Sequence, residues 1–333
     1  MGAEIGATVM AEAVALACRA PSVHNSQPWR WVADGTELRL FLDEDRVPHA
    51  TDHTGREAAI SCGAALDHLR VAAAAAGWHA IVARFPNPNE LDHLATVTFR
   101  PALRPTDAQR VITNAERARA EAIRSRRTDR LPFAAPTAWS AFEPVVRSTV
   151  DDAKAALHVL GDDARPQLAE ASKLTEALRR YDSTYHAELS WWTGVTETAD
   201  GVPYSALVSA SERERVDIAR TFPGPEDSDR RPAIHRDQSV ILVLATYDDT
   251  RQDALGCGEV LSDVLLEATM AGMATCTLSH LTELDASRSV VRELIGGAGE
   301  PQLLIRVGEA PEPDARQPAT PRRPLAEVLE IRG

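Results

Sequence analysis

Apolar positions along the N-terminal third switch repeatedly between helical and strand-like spacing. Thr8 to Arg19 is alanine-rich with a helical pattern that stops before Pro21. Two short strand-like pieces follow, Trp29–Val32 and Leu38–Leu42, separated by the turn signal Asp34-Gly35. A long helix is expected from Gly55 or Arg56 to Ala76, stopped by Gly77. Trp78–Ala83 and Leu94–Phe99 read as strands. Asp107–Arg124 reads as a helix that Thr106 or Asp107 could cap.

Part of this pattern recurs. Val240–Leu244 is a continuous apolar run, as in a strand buried on both faces, and a helix is expected from about Asp253 to Ala271, stopped by Gly272. Cys62-Gly63, Leu66, Leu69 and Ala76-Gly77 match Cys257-Gly258, Leu261, Val264 and Ala271-Gly272 at one constant offset. Duplication of one unit accounts for matching starts, stripes and stops; chance likeness of two alanine-rich helices is the plainer alternative. Pro132–Pro144 reads as a connector, whereas Ser190–Pro232 is long, turn-rich and aromatic at one end. Such a segment is either a lid over a site or a surface elaboration.

Composition narrows the classes. The 333 residues carry a formal charge of -13, which argues against a general nucleic-acid or anionic-membrane binder, both of which need a basic face. Lys154 and Lys173 are the only lysines, so any anion site would be built from arginine, with its fork of donors. Cys18, Cys62, Cys257 and Cys276 are widely spaced without a CxxC pair, which suits free thiols in a reducing compartment. The N-terminus does not read as a signal peptide, and the longest apolar stretch, Val71–Ala83, is too short and broken to span a bilayer. A cytoplasmic protein is expected.

Candidate chemistry starts at Ser22-Val23-His24-Asn25-Ser26-Gln27, a polar run fenced by Pro21 and Pro28 into a non-helical path. Asn and Gln offer donors and acceptors to the edge of a planar ring, and Ser or backbone N–H groups suit phosphate oxygens. Capping and turn duty would explain Ser22 and Asn25 equally well. Other motifs are weak. Gly256-Cys257-Gly258 lacks the third glycine of a dinucleotide fingerprint, and neither a phosphate loop nor a GxSxG elbow occurs. His49 and His53 lie in a loop without a third ligand, so a metal site is not expected.

The run from Ala20 through Pro21-Ser22-Val23-His24-Asn25-Ser26-Gln27-Pro28-Trp29 to Trp31 resembles the APSxxNxQPWxF signature of the FMN-dependent nitroreductase superfamily. Arg126-Arg127-Thr128-Asp129-Arg130 resembles its RRSxR-type motif, and Pro321-Arg322-Arg323-Pro324-Leu325 its basic C-terminal tail. With one signature in each half, the chain is similar to the Acg-type, fused-tandem members in mycobacteria. The resemblance implies an α+β fold, a mixed and largely antiparallel sheet flanked by helices, internally duplicated so that one chain mimics the usual dimer. Its halves would be 1–115 and 116–333, with a lid-like insertion at about 190–232.

The resemblance further implies one FMN, with Ser22, Val23, His24, Asn25 and Gln27 as one wall. Arg126, Arg127, Arg322 and Arg323 would meet the phosphate, and Thr128 and Arg130 the ribityl chain and pyrimidine edge. Ser279 and His280 would approach the opposite flavin edge. Val23 replaces a common Ser, and its backbone N–H is expected to serve instead. The activity implied is transfer from NAD(P)H through FMN to a nitro, quinone or similar acceptor. The alternative is FMN storage or sequestration under the lid with little turnover. The expected state is a pseudo-dimeric monomer, open to further dimerisation, that binds neither nucleic acid nor membrane.

Overall fold

The structure is a computed structural model that describes residues 4–102, 112–193, 200–225, 228–311 and 319–332. In its N-terminal part α1 (Ala7–Ala17) leads into β1 (Trp29–Asp34) and β2 (Glu37–Leu42), which turn at Gly35 with φ +59°. After α2 (Arg56–Ala75) come β3 (Trp78–Arg84), β4 (His93–Pro101) and α3 (Asn114–Ser125). α3 starts later than the periodicity suggested. Thr113 and Glu116 form a capping box there, and Thr106 and Asp107 lie outside the described residues.

The C-terminal part has α4 (Trp139–Thr149), β5 (Ala156–Leu160), α5 (Arg165–Arg179), α6 (Ser183–Trp192) and α7 (Ala210–Arg213). Then follow β6 (Val240–Thr246), α8 (Arg251–Met270), β7 (Ala274–Leu278), α9 (Asp285–Leu294), β8 (Glu300–Gly308), α10 (Leu325–Val328) and β9 (Leu329–Arg332). The connector expected at Pro132–Pro144 is corrected here, because α4 begins inside it and carries Pro144 in its interior. A proline there forfeits a helical hydrogen bond. Burial of Phe142 and Val146 on one face of α4 outweighs that loss.

Two sheets result. One has the order β3-β4-β2-β1-β9, antiparallel except where β9 runs parallel to β1. The other, β5-β6-β8-β7, is antiparallel throughout. The last strand thus crosses to the sheet built by the N-terminal residues. Between the sheets lie α2 and α8, each buried around most of its circumference, as expected of helices without a polar face. Both end at a left-handed glycine, Gly77 (φ +79°) and Gly272 (φ +75°).

The helices cross at their paired glycines. A Cβ on Gly63 would lie 2.0 Å from the Leu255 carbonyl oxygen, and one on Gly258 would lie 2.0 Å from that of Ile60. Each helix therefore offers the other the same surface it receives, the geometry of an isologous contact. The crossing brings the start of α2 beside the second sheet, where Arg56 donates to the Gln302 carbonyl (2.8 Å). This crossing is what sets the walls of the site. Among the described residues no helix is long and apolar enough to cross a membrane.

Candidate functional site

The Pro21–Trp29 run forms a tight, strained turn between α1 and β1. His24 (φ 49°), Asn25 (φ 58°) and Gln27 (φ 53°) are all left-handed, a conformation that costs free energy in non-glycine residues and collects at functional sites. Local bonds hold it: Ser22 Oγ accepts from Gln27 N (3.0 Å), and Val23 N donates to Ser61 Oγ (3.1 Å). The expectation that the Val23 N–H would be free for a ligand is therefore corrected. Ser61, one turn along α2, takes it.

This turn lines two adjoining cavities. The larger has an empty volume of about 940 Å³ and is walled by Ser22, Val23 and His24, by Glu57 and Ser61 of α2, and by Thr128 and Arg130. Arg220, Phe222, Ser279, His280 and Arg306 close its far side. The smaller cavity shares Pro21, Ser22, Thr128 and Arg130 with it, and adds Asn25, Arg19, Arg126, Arg127 and Arg322. Residues 126–130 lie against β7, where Thr128 bridges Thr275 and Asp129 N donates to the Thr275 carbonyl (2.9 Å). The Asp129 carboxylate pairs with Arg231 rather than Arg130, whose guanidinium lies 5.4 Å from the centre of the Phe222 ring.

The smaller cavity is electrostatically lopsided. Among the described residues, none of Arg19, Arg126, Arg127, Arg130 and Arg322 makes an ion pair with a carboxylate. Arg322 instead donates to the carbonyls of Cys18 (2.9 Å) and Arg19 (3.1 Å), and Arg127 to those of Arg124 and Arg126. The Nε atoms of Arg19 and Arg126 are buried without an acceptor, and Asn25 Oδ1 is buried without a donor. Burial and neighbouring arginines push Arg126 down to about 10 and Arg322 down to about 9, still charged at neutral pH. Desolvated cations with free donors demand an anion.

Around the larger cavity the histidines are neutral. Burial, then the nearby Arg220 and Arg130 charges, hold His24 well below its ordinary value, and its Nε2 lies 3.2 Å from Thr51 Oγ1. Burial, then Arg220, lowers His280 to about 3, with Nε2 2.9 Å from Ser172 Oγ. Ser279 Oγ accepts from Arg220 Nη2 (3.2 Å), which is also paired with Glu283.

Not every expected residue reaches a cavity. Gln27 lines neither: its Oε1 accepts from Arg323 N (2.9 Å), so it anchors the tail. Arg323 turns to Asp43 and Glu327. Trp191 is 78% exposed, while Trp192 is buried beneath the Arg46 guanidinium at 5.8 Å, and neither lines a cavity. His49 and His53 are exposed in their loop.

The sequence reading missed Arg19, Glu57, Ser61, Arg220, Phe222 and Arg306. Arg19 adjoins the motif, and Glu57 falls three and four residues before Ile60 and Ser61 on the same helical face, an acid on an apolar stripe. Glu57 is 4% exposed, and both its oxygens lack a hydrogen bond. Burial, then repulsion by Glu283 and Asp52, raises it well above the ordinary carboxylate value.

Residues 200–201 and α6 are tied to the N-terminal walls. Asn25 Nδ2 donates to the Gly201 carbonyl (2.9 Å), and Arg46 Nη2 pairs with Asp200 at 2.6 Å. The Glu188 carboxylate of α6 accepts from Ala50 N, Thr51 N and Thr51 Oγ1 at 2.9, 2.9 and 2.7 Å. Tyr185, Leu189, Val202, Leu207 and Phe222 form a small apolar cluster, joined by Ala50.

No protein-family model matches the chain. A protein of Mycobacterium tuberculosis strain H37Rv, named as a candidate NAD(P)H nitroreductase, Acg, is 57% identical over 324 residues, covering 97% of this chain and 96% of its own. A second protein of that organism, named only as uncharacterized, is 55% identical over 328 residues, covering 97% and 93%. Among solved structures, the FMN-dependent nitroreductase NfnB from Mycobacterium smegmatis in complex with NADPH is 18% identical, with a TM-score of 0.41. That match covers 65% of this chain and 98% of that one.

Proposed function

The chain belongs to the Acg-type nitroreductase-like family, and from that premise we propose that it holds one FMN across the two joined cavities. The observation that carries the proposal is the cluster of five arginines that, among the described residues, have no carboxylate partner, beside the Ser22–Gln27 turn with its left-handed His24, Asn25 and Gln27. The donor set fits a phosphate: Arg126, Arg127, Arg322 and Arg19 would hold it with charge-assisted bonds. Arg130 and Thr128, common to both cavities, would adjoin the ribityl chain and pyrimidine edge, where a cation favours reduced flavin. Ser22, His24 and Asn25 would line one side, with Ser279 and His280 on another. Bound there, FMN supplies two-electron chemistry between NAD(P)H and a nitro, quinone or similar acceptor. The chain's own contribution is binding, orientation and water exclusion by the cover.

The test is the visible spectrum of the purified protein. Flavin absorbance, or its appearance on reconstitution with FMN, is expected. A colourless protein that cannot be reconstituted overturns the proposal.

One observation favours a second reading, storage of FMN with little turnover. The cover is bonded to the N-terminal walls at Asn25, Arg46 and Thr51, and Phe222 of that segment stands in the larger cavity. Anaerobic stopped-flow mixing with NADPH separates the readings. Fast bleaching means turnover; no bleaching over minutes means storage.

The same proposal includes the architecture. The halves 1–115 and 116–333 would be duplicated units that make a pseudo-dimer in one chain, with about 190–232 inserted as its lid. The constant sequence offset and the reciprocal Gly63–Gly258 contact support this.

A further inference from the structure

Three acids and two arginines act on one another beside the larger cavity: Asp52, Glu57 and Glu283, with Arg56 and Arg220. They come from the start of α2 and the loop before it, from residues 219–222 and from the loop after β7. Four of the five are satisfied within the chain. Glu283 pairs with Arg220 and accepts from Ser279 Oγ (3.2 Å). Asp52 Oδ2 accepts from Ala58 N at the start of α2 (2.8 Å). Arg56 Nη1 donates to the carbonyl and Oε1 of Gln302 (2.8 and 3.0 Å), and its Nη2 to the carbonyl and Oγ1 of Thr282 (2.9 and 3.3 Å). Arg56 Nη2 stands 3.6 Å from Glu57 Oε1, beyond hydrogen-bond reach. Glu57 is the odd member: it is 4% exposed, and among the described residues neither oxygen has a hydrogen-bond partner.

We propose that Glu57 is a neutral carboxylic acid whose O–H is kept for the ring of the bound flavin, as donor to one of its oxygens or nitrogens. This deepens the FMN reading and rests on it.

An ionised Glu57 would set three negative charges against two positive ones, with no donor to stabilise the third. The neutral acid avoids both costs. Burial, then Glu283 and Asp52, push its proton affinity in that direction. A neutral carboxyl has one O–H to donate, and the chain offers it no acceptor among the described residues. With the phosphate among the arginines of the smaller cavity and Thr128 and Arg130 at the junction, the larger cavity is left for the ring, and Glu57 is part of its wall. Carbonyl oxygens and unprotonated nitrogens on the ring are acceptors, which a protonated acid complements and a carboxylate repels. A metal or ammonium ligand for Glu57 is disfavoured, because Arg130, Arg220 and Arg306 line the same cavity.

Infrared spectroscopy of protein labelled with carboxyl-13C glutamate tests this. At neutral pH the FMN-free protein is expected to show a protonated-carboxyl C=O band that Glu57→Gln lacks, and FMN is expected to move it to lower frequency. A band that is absent, or that FMN leaves in place, overturns the proposal. In fluorescence titrations with FMN, Glu57→Gln retains an N–H donor and is expected to stay within about threefold of wild type, whereas Glu57→Leu is expected to bind about tenfold more weakly. Equal affinities in the two variants would overturn the donor role. Should Glu57→Leu fail to fold, the movement of the band decides the matter. Failure of wild type to take up FMN sinks the FMN reading and this role with it, and the band in the FMN-free protein distinguishes that failure from an ionised Glu57.

Discussion

Two clusters of arginine adjoin the cavities, and they are built on opposite principles. Arg165 and Arg306 converge on Asp237: Arg165 Nη1 meets it at 3.3 Å and Asp217 at 2.6 Å, while Arg306 meets it through Nε (3.3 Å) and Nη2 (2.5 Å). Asp237 also accepts from Phe133 N at 2.8 Å, so its carboxylate ties residues 133, 165 and 306 together. Those cations have their counter-charge within the chain, although Arg306 Nη1 is buried without an acceptor. Among the described residues, Arg19, Arg126, Arg127 and Arg322 line one cavity without a carboxylate, and the hydrogen bonds of Arg126, Arg127 and Arg322 go to backbone carbonyls. Charge satisfied within the chain holds a fold, whereas charge left unsatisfied marks a place for something else.

The comparison breaks most readily at Asp237. Asp237→Ala strands the buried Arg306 guanidinium and takes one of the two carboxylates of Arg165, and is expected to cost about 3–5 kcal/mol of stability in urea unfolding. A loss below about 1 kcal/mol would mean that this cluster is not structural. Arg126→Ala should do the reverse. Stability of the ligand-free protein is expected to hold or rise as mutual repulsion falls, while FMN affinity, read by flavin fluorescence on titration, drops by about 1.5–3 kcal/mol. Unchanged affinity would remove the phosphate assignment.

Glu57 sharpens the contrast from the acid side. Its folded value is raised above the ordinary 4.5, so the folded chain holds a proton that the unfolded chain releases. Stability contributed by that proton is full below about 4.5 and is lost as pH rises toward the folded value, at about 1.4 kcal/mol per pH unit. Glu57→Gln is therefore expected to stabilise the ligand-free protein at pH 7 and to leave it unchanged near pH 4. Equal effects at both pH values would show that Glu57 is not held protonated. His280, lowered to about 3, works with the opposite sign: its contribution is full above about 6.5 and falls as the pH drops.

How much of this was legible follows from the range of the interactions involved. The N-terminal strands and both long helices are written locally, in spacing and in the stops at Gly77 and Gly272. The Ser22–Gln27 turn and the 126–130 run could be found as motifs because each is contiguous. Glu57, Arg220 and Phe222 could not, since their meaning arises only when α2, residues 219–222 and the loop after β7 converge. The Val23 N–H was misjudged for the same reason: Ser61 reaches it across 38 positions of sequence. At Pro144, a sound local rule was overridden by burial of Phe142 and Val146. Nothing local announces that residues 329–332 join β1, because the pairing spans nearly the whole chain.

The smallest expected effect isolates the unsatisfied cluster from everything else FMN would touch. Inorganic phosphate carries the anionic end of the ligand without ring or ribityl chain, so it reports on the arginines alone. If they form a ready-made anion site, phosphate stabilises the ligand-free protein by mass action, by about 0.4 kcal/mol when its concentration equals its Kd. Thermal unfolding in phosphate and in an uncharged buffer at matched ionic strength should differ by about a degree, because a chain of this length needs several tenths of a kcal/mol per degree. The difference should vanish in Arg126→Ala/Arg322→Ala and persist in Arg165→Met, whose cluster already has its anion. An equal response in all three would put phosphate elsewhere and dissolve the distinction between the clusters.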